Sequence, residues 1–187
     1  MIKRIFDIVL SIISIIVLFL PMLLLSLAVK LTSKGPVLFW SERIGLDNKS
    51  FHMPKFRTMK LGTPNVATNL LSNPGEYRTP TGSFLRKYSL DELPQLLSIL
   101  RGDMSFVGPR PALFNQDDLI GLRTSYAIHR HVPGLTGWAQ VNGRDDIPLG
   151  EKVELDLEYV KNQSFWFDMK ILWITFEKVM TKSDISH

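Results

Sequence analysis

Residues 8–29, IVLSIISIIVLFLPMLLLSLAV, form an uncharged apolar run near the start of the chain. A helix needs about 20 apolar residues to cross the hydrocarbon core of a bilayer, so this run is long enough to enter a membrane. The apolar part of a signal peptide is shorter and is followed by a small-residue cleavage site, which is missing here. A helix that is apolar on all sides would need burial on every face, which a chain of 187 residues offers poorly. The sequence therefore predicts a membrane segment.

The topology of this segment depends on Pro21 and on the flanking charges. Proline removes the amide that would bond the Val17 carbonyl and crowds that carbonyl, so a kink or break is expected there. Two basic residues precede the run and two follow it. Because positive charge is retained in the cytoplasm, both ends favour that side of the membrane. These features favour a re-entrant helix-break-helix, with a kinked spanning helix as the alternative.

Composition limits the rest of the chain. A net charge of +4 favours polyanionic partners, and nucleic acid, an anionic membrane surface and a nucleotide substrate all remain open. The chain has no cysteine, which excludes disulfides and thiolate metal sites and suits a reducing compartment. The length suits one globular domain. We therefore divide the chain into a membrane-anchoring segment, residues 1–34, and a soluble domain, residues 35–187.

The first part of the soluble domain has the pattern of a β-hairpin. VLFWSERIG and SFHMPKFRTM, within residues 37–59, read as two strands around the polar turn LDNK. Lys55 and Arg57 are two positions apart in the second strand, so their side chains are expected on one face. Residues 61–83 are rich in Gly, Pro, Asn and Thr and predict a long loop, either a disordered excursion or a lid over a site.

The next segment, YSLDELPQLLSILRG (88–102), predicts a helix that begins beside two acidic residues. Its leucines recur on one helical face, and Gly102 would end the helix. If Asp91 is the N-cap, Pro94 falls in the first turn, where its missing amide costs nothing. The alternative register takes Ser89 as the cap and Glu92 as its capping-box partner, but it places Pro94 where an amide should be bonded. We prefer Asp91 as the cap.

The acidic pair also has a chemical interpretation. A carboxylate at a helix N-terminus faces the positive end of the helix dipole, which favours the ionised form and makes it a ready nucleophile or metal ligand. Arg86 and Lys87 precede the pair, and Arg110 stands between two prolines in FVGPRPAL (106–113). Because those prolines restrict the backbone, this guanidinium is partly pre-organised to bind phosphate. The alternatives are a purely structural cap and a surface arginine in a stiff turn.

Two C-terminal segments complete the set of candidates. HVPGLTGWAQVNGR (131–144) carries turn signals around a short strand and could bring Gln140 and Arg144 near a ligand; the alternative is a plain hairpin. FWFDMKILWITFEKVM (165–180) predicts a helix that belongs either to the core or, given its two tryptophans, to the membrane interface. The predicted fold class is α+β, a helix-rich single domain with a short β-hairpin, a re-entrant membrane helix and interfacial amphipathic helices.

In the order and spacing of its motifs the chain resembles the bacterial sugar transferase family, the monotopic phosphoglycosyl transferases that begin lipid-linked glycan assembly. The resemblance covers nearly the whole chain. It is carried by KRIFDIVLS, LTSKGPVLFWSERIG, KFRTM, LRKYSLDELPQL, GDMSFVGPRPAL, PGLTGWAQVNGR and LDLEYVKNQSFWFDMKIL. It implies an enzyme on the cytoplasmic face of the bacterial inner membrane, with both termini cytoplasmic. Such an enzyme serves polysaccharide biosynthesis, for example of O-antigen, capsule or exopolysaccharide, together with downstream glycosyltransferases.

The resemblance also implies a mechanism. Asp91 would attack the sugar-linked phosphate of a UDP-sugar, release UMP and carry the phosphosugar, which then passes to polyprenyl (undecaprenyl) phosphate. Glu92 matches the second position of the acidic pair, and Asp91 and Glu92 would hold Mg²⁺, because a cation relieves their repulsion with a diphosphate. Arg110 matches the phosphate-binding Pro-Arg-Pro element. The other basic positions that match the family's site are Lys55, Arg57, Arg86 and Arg144.

In the family the membrane helix breaks at a proline that commonly follows a serine. Here Pro21 follows Leu20, so another side chain, for which Ser14 is our candidate, would satisfy the broken backbone. The expected partners are a UDP-sugar, polyprenyl phosphate and membrane lipid, without nucleic acid. Two other classes stay open: a membrane-anchored module that binds nucleic acid or anionic lipid through its basic face, and a glycosidase with paired acids. The glycosidase ranks last because its carboxyls must flank a bond about 5 to 10 Å apart, whereas adjacent helical residues diverge.

Overall fold

The computed structural model describes residues 2–64, 66, 71–143 and 147–181, and helices predominate in them around two small sheets. The helices are α1 (Ile2–Thr32), α2 (Gly82–Lys87), α3 (Leu96–Arg101), α4 (Asp117–Ser125), α5 (Trp138–Asn142), α6 (Leu149–Asn162) and α7 (Phe165–Thr181). The strands are β1 (Leu38–Ile44), β2 (Ser50–Phe56), β3 (Ser105–Val107), β4 (Ala112–Leu113) and β5 (Gly134–Thr136). The predicted helix-rich α+β class is confirmed.

The predicted hairpin is present as β1 and β2. The two strands pair antiparallel with Ile44 opposite Ser50, and β4 joins the free edge of β1 to give the order β2-β1-β4. Asp47 and Asn48 in the connecting turn have φ values of 54° and 58°, a left-handed conformation that these residue types tolerate better than most. A second sheet consists of β3 and β5 in parallel.

The main hydrophobic core lies under the hairpin and between α3, β3, α6 and α7. Its buried members are Met53, Leu96, Ile99, Met104, Phe106, Val107, Val141, Tyr159 and Ile171. These residues come from segments far apart in the chain, so the core joins the hairpin and the C-terminal helices into one domain. The candidate site lies where this core meets the edge of the hairpin sheet.

The segment that contains the acidic pair folds differently from the prediction. Residues Leu90–Gln95 form a 3-10 helix, and α3 begins only at Leu96, so Asp91 is not the N-cap of an α-helix. Pro94 explains the difference, because it has no amide to donate to an α-helical hydrogen bond and, with Ser89 as the observed N-cap, lies two residues further into the helix than the preferred register allowed. The predicted end of the helix is confirmed, since Gly102 follows α3 with a φ of +99°.

The apolar N-terminal run is one continuous helix. α1 has 31 residues with Pro21 inside it, so the predicted break at Pro21 is wrong: the helix passes through the proline. One missing amide removes one hydrogen bond, which long helices accommodate by bending. An 18-residue window of α1 has a mean hydropathy of 3.1 and is 6% buried. The exposed apolar face includes Ile5, Val9, Ile12, Ile16, Phe19, Leu23 and Leu27.

Both ends of α1 are nevertheless bonded to the same domain. At the start, Lys3 Nζ donates to Asp168 Oδ2 at 2.6 Å and to the Val107 carbonyl at 2.9 Å. At the other end, Arg57 Nη2 donates to the carbonyl and the hydroxyl of Ser33 at 3.0 and 2.7 Å. A straight spanning helix would hold its ends on opposite sides of a bilayer. These contacts show that both ends of α1 are attached to the same domain.

Helix α7 is buried on one side, as the core alternative predicted, and carries two exposed tryptophans. Asp168 and Ile171 are buried against the domain, while Trp166 and Trp173 are 79% and 63% exposed. Of the predicted long loop, residues 65 and 67–70 lie outside the described residues. The described flanks of the loop are paired at its base, where Lys60 N donates to the Tyr77 carbonyl at 2.7 Å. The loop ends at Gly82, where α2 begins.

Candidate active site

The acidic pair lies in the first turn of the 3-10 helix Leu90–Gln95, which packs against β2. Asp91 is 7% exposed. Glu92 Oε1 accepts two charge-assisted hydrogen bonds, from Lys55 Nζ at 2.8 Å and from Arg110 Nη2 at 2.9 Å. Among the described residues Asp91 forms no ion pair of its own, so the two adjacent carboxylates are in different situations. Glu92 holds two cations together, and Asp91 stands beside them.

The electrostatics follow from this arrangement. Burial alone would raise the pKa of Glu92, but Arg110 and Lys55 outweigh it and hold this pKa well below its usual range. Burial raises the pKa of Asp91, and the charge of Glu92 adds to that effect against the opposing influence of Lys55. The expectation that a helix dipole favours ionised Asp91 is therefore wrong in direction. The 3-10 helix is short, and the loss of solvent is the larger effect.

Two further predicted cations take part in the cluster. Burial lowers the pKa of Lys55 against the opposing charge of Glu92. Arg86, on α2, donates from Nε to Thr58 Oγ1 at 3.1 Å; burial lowers its pKa, and the nearby charge of Asp91 opposes that shift. The structure thus brings Lys55, Arg86 and Arg110 together with both carboxylates, as predicted. Three cationic side chains beside two carboxylates are the residue types that bind anionic groups such as phosphates.

Arg43 also belongs to this electrostatic environment, although the sequence analysis did not single it out. Its positive charge lowers the pKa of Lys55. The hairpin register pairs Lys55 with Phe39, and Arg43 is four positions after Phe39 in β1, on the same face of the sheet. The length of the turn and the alternation of the two strands would have been enough to predict that Arg43 lies on the same face as Lys55.

Three predicted site residues lie elsewhere or outside the described residues. Arg57 bonds Ser33 rather than the acidic pair, because β2 ends at Phe56 and the alternation that would align Arg57 with Lys55 ends with it. Gln140, on α5, lines a small cavity with Thr136, Val141, Thr175 and Lys178, and its amide atoms are buried without a hydrogen-bond partner. Arg144 lies outside the described residues.

The loop that carries Arg110 connects β3 to β4 and is held through its carbonyl groups. The Pro109 carbonyl accepts a hydrogen bond from Gly134 N at 3.0 Å, at the start of β5. The Arg110 carbonyl accepts one from Arg123 Nη1 at 2.6 Å, and the Pro111 carbonyl accepts one from Arg43 Nη1 at 3.2 Å. Three consecutive carbonyls are therefore each bound by a different element. The sequence offers no local pattern that identifies Arg123, which is 33 positions away from its partner Asp156.

Glycines allow this loop to lie against the β5 segment. A Cβ atom at Gly134 would overlap the backbone nitrogen of Gly108, and one at Gly137 would overlap the backbone oxygen of Gly108. The backbones of the GPRP and PGLTG motifs thus lie in close contact with each other, at Gly108 and Gly134. The described part of the segment 131–144, residues 131–143, is not a hairpin, because β5 pairs in parallel with β3 and is followed by α5.

The described residues contain no group of three or more histidine, cysteine, aspartate or glutamate side chains that could hold a metal ion. Asp91 and Glu92 are thus the candidate ligands for a cation. Mg²⁺ is usually bound by one or two carboxylates, with water and substrate phosphates in its remaining positions. Two adjacent carboxylates beside several basic side chains fit this pattern.

Comparison with known proteins yields a consistent set of relatives. A family model described as "Bacterial sugar transferase" matches residues 1–182. The uncharacterized sugar transferase EpsL of Bacillus subtilis is 45% identical over 98% of this chain and 89% of its own length. The UDP-glucose:undecaprenyl-phosphate glucose-1-phosphate transferase of Escherichia coli is 42% identical over 95% of this chain, and the chain spans 40% of that protein. A UDP-N-acetylgalactosamine-undecaprenyl-phosphate N-acetylgalactosaminephosphotransferase of Aeromonas hydrophila is 36% identical over 96% of this chain and 44% of its own length.

Proposed function

The chain belongs to the bacterial sugar transferase family, and from this premise we propose that it transfers a sugar 1-phosphate from a UDP-sugar to undecaprenyl phosphate. The names of the Escherichia coli and Aeromonas hydrophila relatives describe such transfers by those proteins. The observation that carries the proposal is the position of Asp91, buried beside Glu92 and close to Lys55, Arg86 and Arg110. The proposed nucleophile therefore lies beside three cationic side chains that could bind the donor phosphates.

In the first step a carboxylate oxygen of Asp91 attacks the sugar-linked phosphorus of the donor. The bond from that phosphorus to the bridging oxygen breaks, UMP leaves with the electron pair, and Asp91 carries the phosphosugar as an acyl phosphate. Glu92 is a poorer candidate for the attack because Lys55 and Arg110 already occupy its Oε1. Its role is to hold these two cations where the phosphates bind.

In the second step a phosphate oxygen of undecaprenyl phosphate attacks the same phosphorus. The bond to Asp91 breaks, the carboxylate is restored, and the product is undecaprenyl-diphospho-sugar. Arg86 and Arg110 stabilise the negative charge that develops on the phosphoryl oxygens in both steps. A downstream glycosyltransferase is the class of enzyme that would use this product.

We include Mg²⁺ in the proposal, held by Asp91 and Glu92. When bound, the cation would neutralise part of the charge of the donor diphosphate and so favour the departure of UMP. Glu92 can contribute the carboxylate oxygen that does not accept from Lys55 and Arg110. Removal of divalent cations with EDTA should suppress UMP release, and added Mg²⁺ should restore it.

For location we propose the cytoplasmic face of the bacterial inner membrane, with α1 as a membrane-inserted helix whose two ends both lie on that side. The contacts of both ends of α1 with one domain, and its exposed apolar face, support this proposal. The chain has no native cysteine, so single cysteines at Ile2 and Lys34 can be labelled specifically. Both should react with an impermeant thiol reagent only from the cytoplasmic side. Labelling from opposite sides would establish a spanning helix.

The reaction is tested by UMP release from a panel of UDP-sugars with undecaprenyl phosphate and Mg²⁺. Asp91→Asn should abolish release, whereas Asp118→Asn, on the exposed surface of α4, should leave it unchanged. Incubation with donor alone should add the mass of one sugar phosphate to the wild-type protein and none to Asp91→Asn. Turnover by Asp91→Asn at the wild-type rate would refute the assignment of the nucleophile.

A further inference from the structure

Arg123 and Asp156 form a buried ion pair behind the Arg110 loop. Arg123 Nε and Nη2 both donate to Asp156 Oδ2, at 3.0 and 2.5 Å. The two residues are 8% and 1% exposed. The remaining nitrogen of this guanidinium, Nη1, donates to the carbonyl of Arg110 at 2.6 Å. One side chain therefore connects α6, through Asp156, to the backbone of a residue in the candidate site.

Stability alone does not account for such a pair. Taking two charges out of water is costly, and apolar replacement of a buried ion pair is often neutral or stabilising. The pair supplies instead a rigid donor for a backbone that few other groups can hold. Pro109 and Pro111 have no amide hydrogen, so the loop depends on hydrogen bonds to its carbonyls. Arg123 binds the middle one of the three, directly beneath the side chain that reaches Glu92.

The position of that carbonyl controls the position of the Arg110 guanidinium. The backbone on either side is bound by Gly134 N and by Arg43 Nη1. If the middle contact is lost, the peptide groups around Arg110 can rotate between these two fixed points. Displacement of a phosphate-binding group by about 1 Å can lower a rate about 100-fold, because catalysis depends on orientation.

We propose that Arg123 and Asp156 are positioning residues that hold the Arg110 loop so that its guanidinium meets Glu92 and the donor phosphates. The expected effect on kcat rests on the proposed phosphoglycosyl transfer. The expected effect on the Arg110 loop itself does not depend on that function. Asp156 orients Arg123, Arg123 holds the Arg110 carbonyl, and Arg110 contacts the substrate. Neither Arg123 nor Asp156 touches substrate.

The test variant replaces both partners together, as Arg123→Met with Asp156→Leu, so that neither charge is left buried without its partner. We expect a melting temperature near that of the wild type and a fall in kcat of about 10- to 100-fold, with a smaller change in KM for the UDP-sugar. Arg130→Met, an exposed arginine in the 3-10 turn Ile128–Arg130, is the matched control and should keep the wild-type rate. If the double variant does not fold, Arg123→Lys is the second variant, because an ammonium does not reproduce the guanidinium fork.

A double-mutant cycle separates positioning from a general structural effect. In the Arg110→Ala background, replacement of the pair should change kcat by less than about 2-fold, because the group it positions is gone. The same 10- to 100-fold loss in that background would overturn the proposal.

A second readout does not depend on activity. Hydrogen exchange of the peptide covering residues 105–113 should become faster in the double variant, while the peptides of β1 and β2 keep their wild-type rates. Unchanged exchange at residues 105–113 would overturn the positioning role even if the wild-type protein released no UMP. Absence of UMP release by the wild type would instead refute the proposed function.

Discussion

Glu92→Gln is the substitution that best tests how the site is held together. In the wild type one oxygen, Oε1, accepts from Lys55 at 2.8 Å and from Arg110 at 2.9 Å. The side chain of Glu92 is 18% exposed and that of Lys55 is 14% exposed, so solvent screens this cluster only partly. Glutamine has nearly the same shape but no charge. The substitution therefore removes the attraction while it leaves the packing almost unchanged.

The expected loss of stability has two sources. Two hydrogen bonds between oppositely charged groups become bonds from a cation to a neutral amide oxygen, each weaker by about 1 kcal/mol. In addition, Lys55 and Arg110 lie within about 6 Å of each other, and their repulsion of about 3 kcal/mol at an effective dielectric constant of 20 is no longer compensated. Relaxation of the two long side chains towards water offsets part of this. We expect a net loss of about 3 to 5 kcal/mol, as when one partner of a buried ion pair is removed.

Thermal unfolding in detergent, with EDTA present to exclude any bound cation, measures this loss. For a chain of this size each kcal/mol corresponds to about 2 to 4 °C, so the apparent melting temperature should fall by about 6 to 20 °C. Glu151→Gln, at an exposed position of α6, should change it by less than about 2 °C. Removal of a second charge provides an internal check. Lys55→Met combined with Glu92→Gln should recover part of the lost stability, because it removes the repulsion between Lys55 and Arg110. A melting temperature within 2 °C of the wild type for Glu92→Gln alone would refute the reasoning.

Three further predictions concern the surroundings of the site. Gly134→Ala should lower stability by about 1 to 3 kcal/mol and reduce UMP release, because its Cβ would push Gly108 and the Arg110 loop away; equal activity to the wild type would contradict this. Gly35→Ala should destabilise the end of α1, since Gly35 has a φ of +118° and its Cβ would overlap the Arg57 guanidinium; limited proteolysis after residue 32 should become faster. Burial raises the pKa of Tyr159 far above its usual value, so above pH 10 the folded state keeps a proton that the unfolded state loses. Stability should then fall by about 1.4 kcal/mol per pH unit more steeply in the wild type than in Tyr159→Phe, and parallel pH profiles in urea unfolding would contradict it.

Local sequence patterns predicted the secondary-structure elements of the site better than the contacts between residues distant in the chain. The alternation of β1 and β2 and the LDNK turn predicted the hairpin that carries Lys55, and the Pro-Arg-Pro motif identified Arg110, which the structure places against Glu92. Arg123 and Asp156 could not be found in this way, because their contact depends on how α4 packs against α6. The prediction of Asp91 as an α-helical N-cap was wrong because Pro94 favours a 3-10 helix at this point and the α-helix begins only at Leu96.

The β2 and β3 segments, which position Lys55 and the Arg110 loop beside Glu92, also contact the two ends of α1. Lys55 belongs to β2, and Arg57, immediately after that strand, bonds Ser33 at the end of α1. β3 leads into the Arg110 loop, and the start of α1 binds it through Asp7, which accepts from the Ser105 hydroxyl and the Phe106 amide at 3.1 Å.

These short connections determine the distance of the site from the lipid that α1 enters under the proposed topology. That distance matters because the acceptor's tail stays in hydrocarbon while its phosphate must reach Asp91. Asp7→Asn weakens the connection at β3 without touching the site. It should therefore slow transfer to undecaprenyl phosphate more than the release of UMP in the first turnover. An equal effect on both steps would show that Asp7 serves the fold alone.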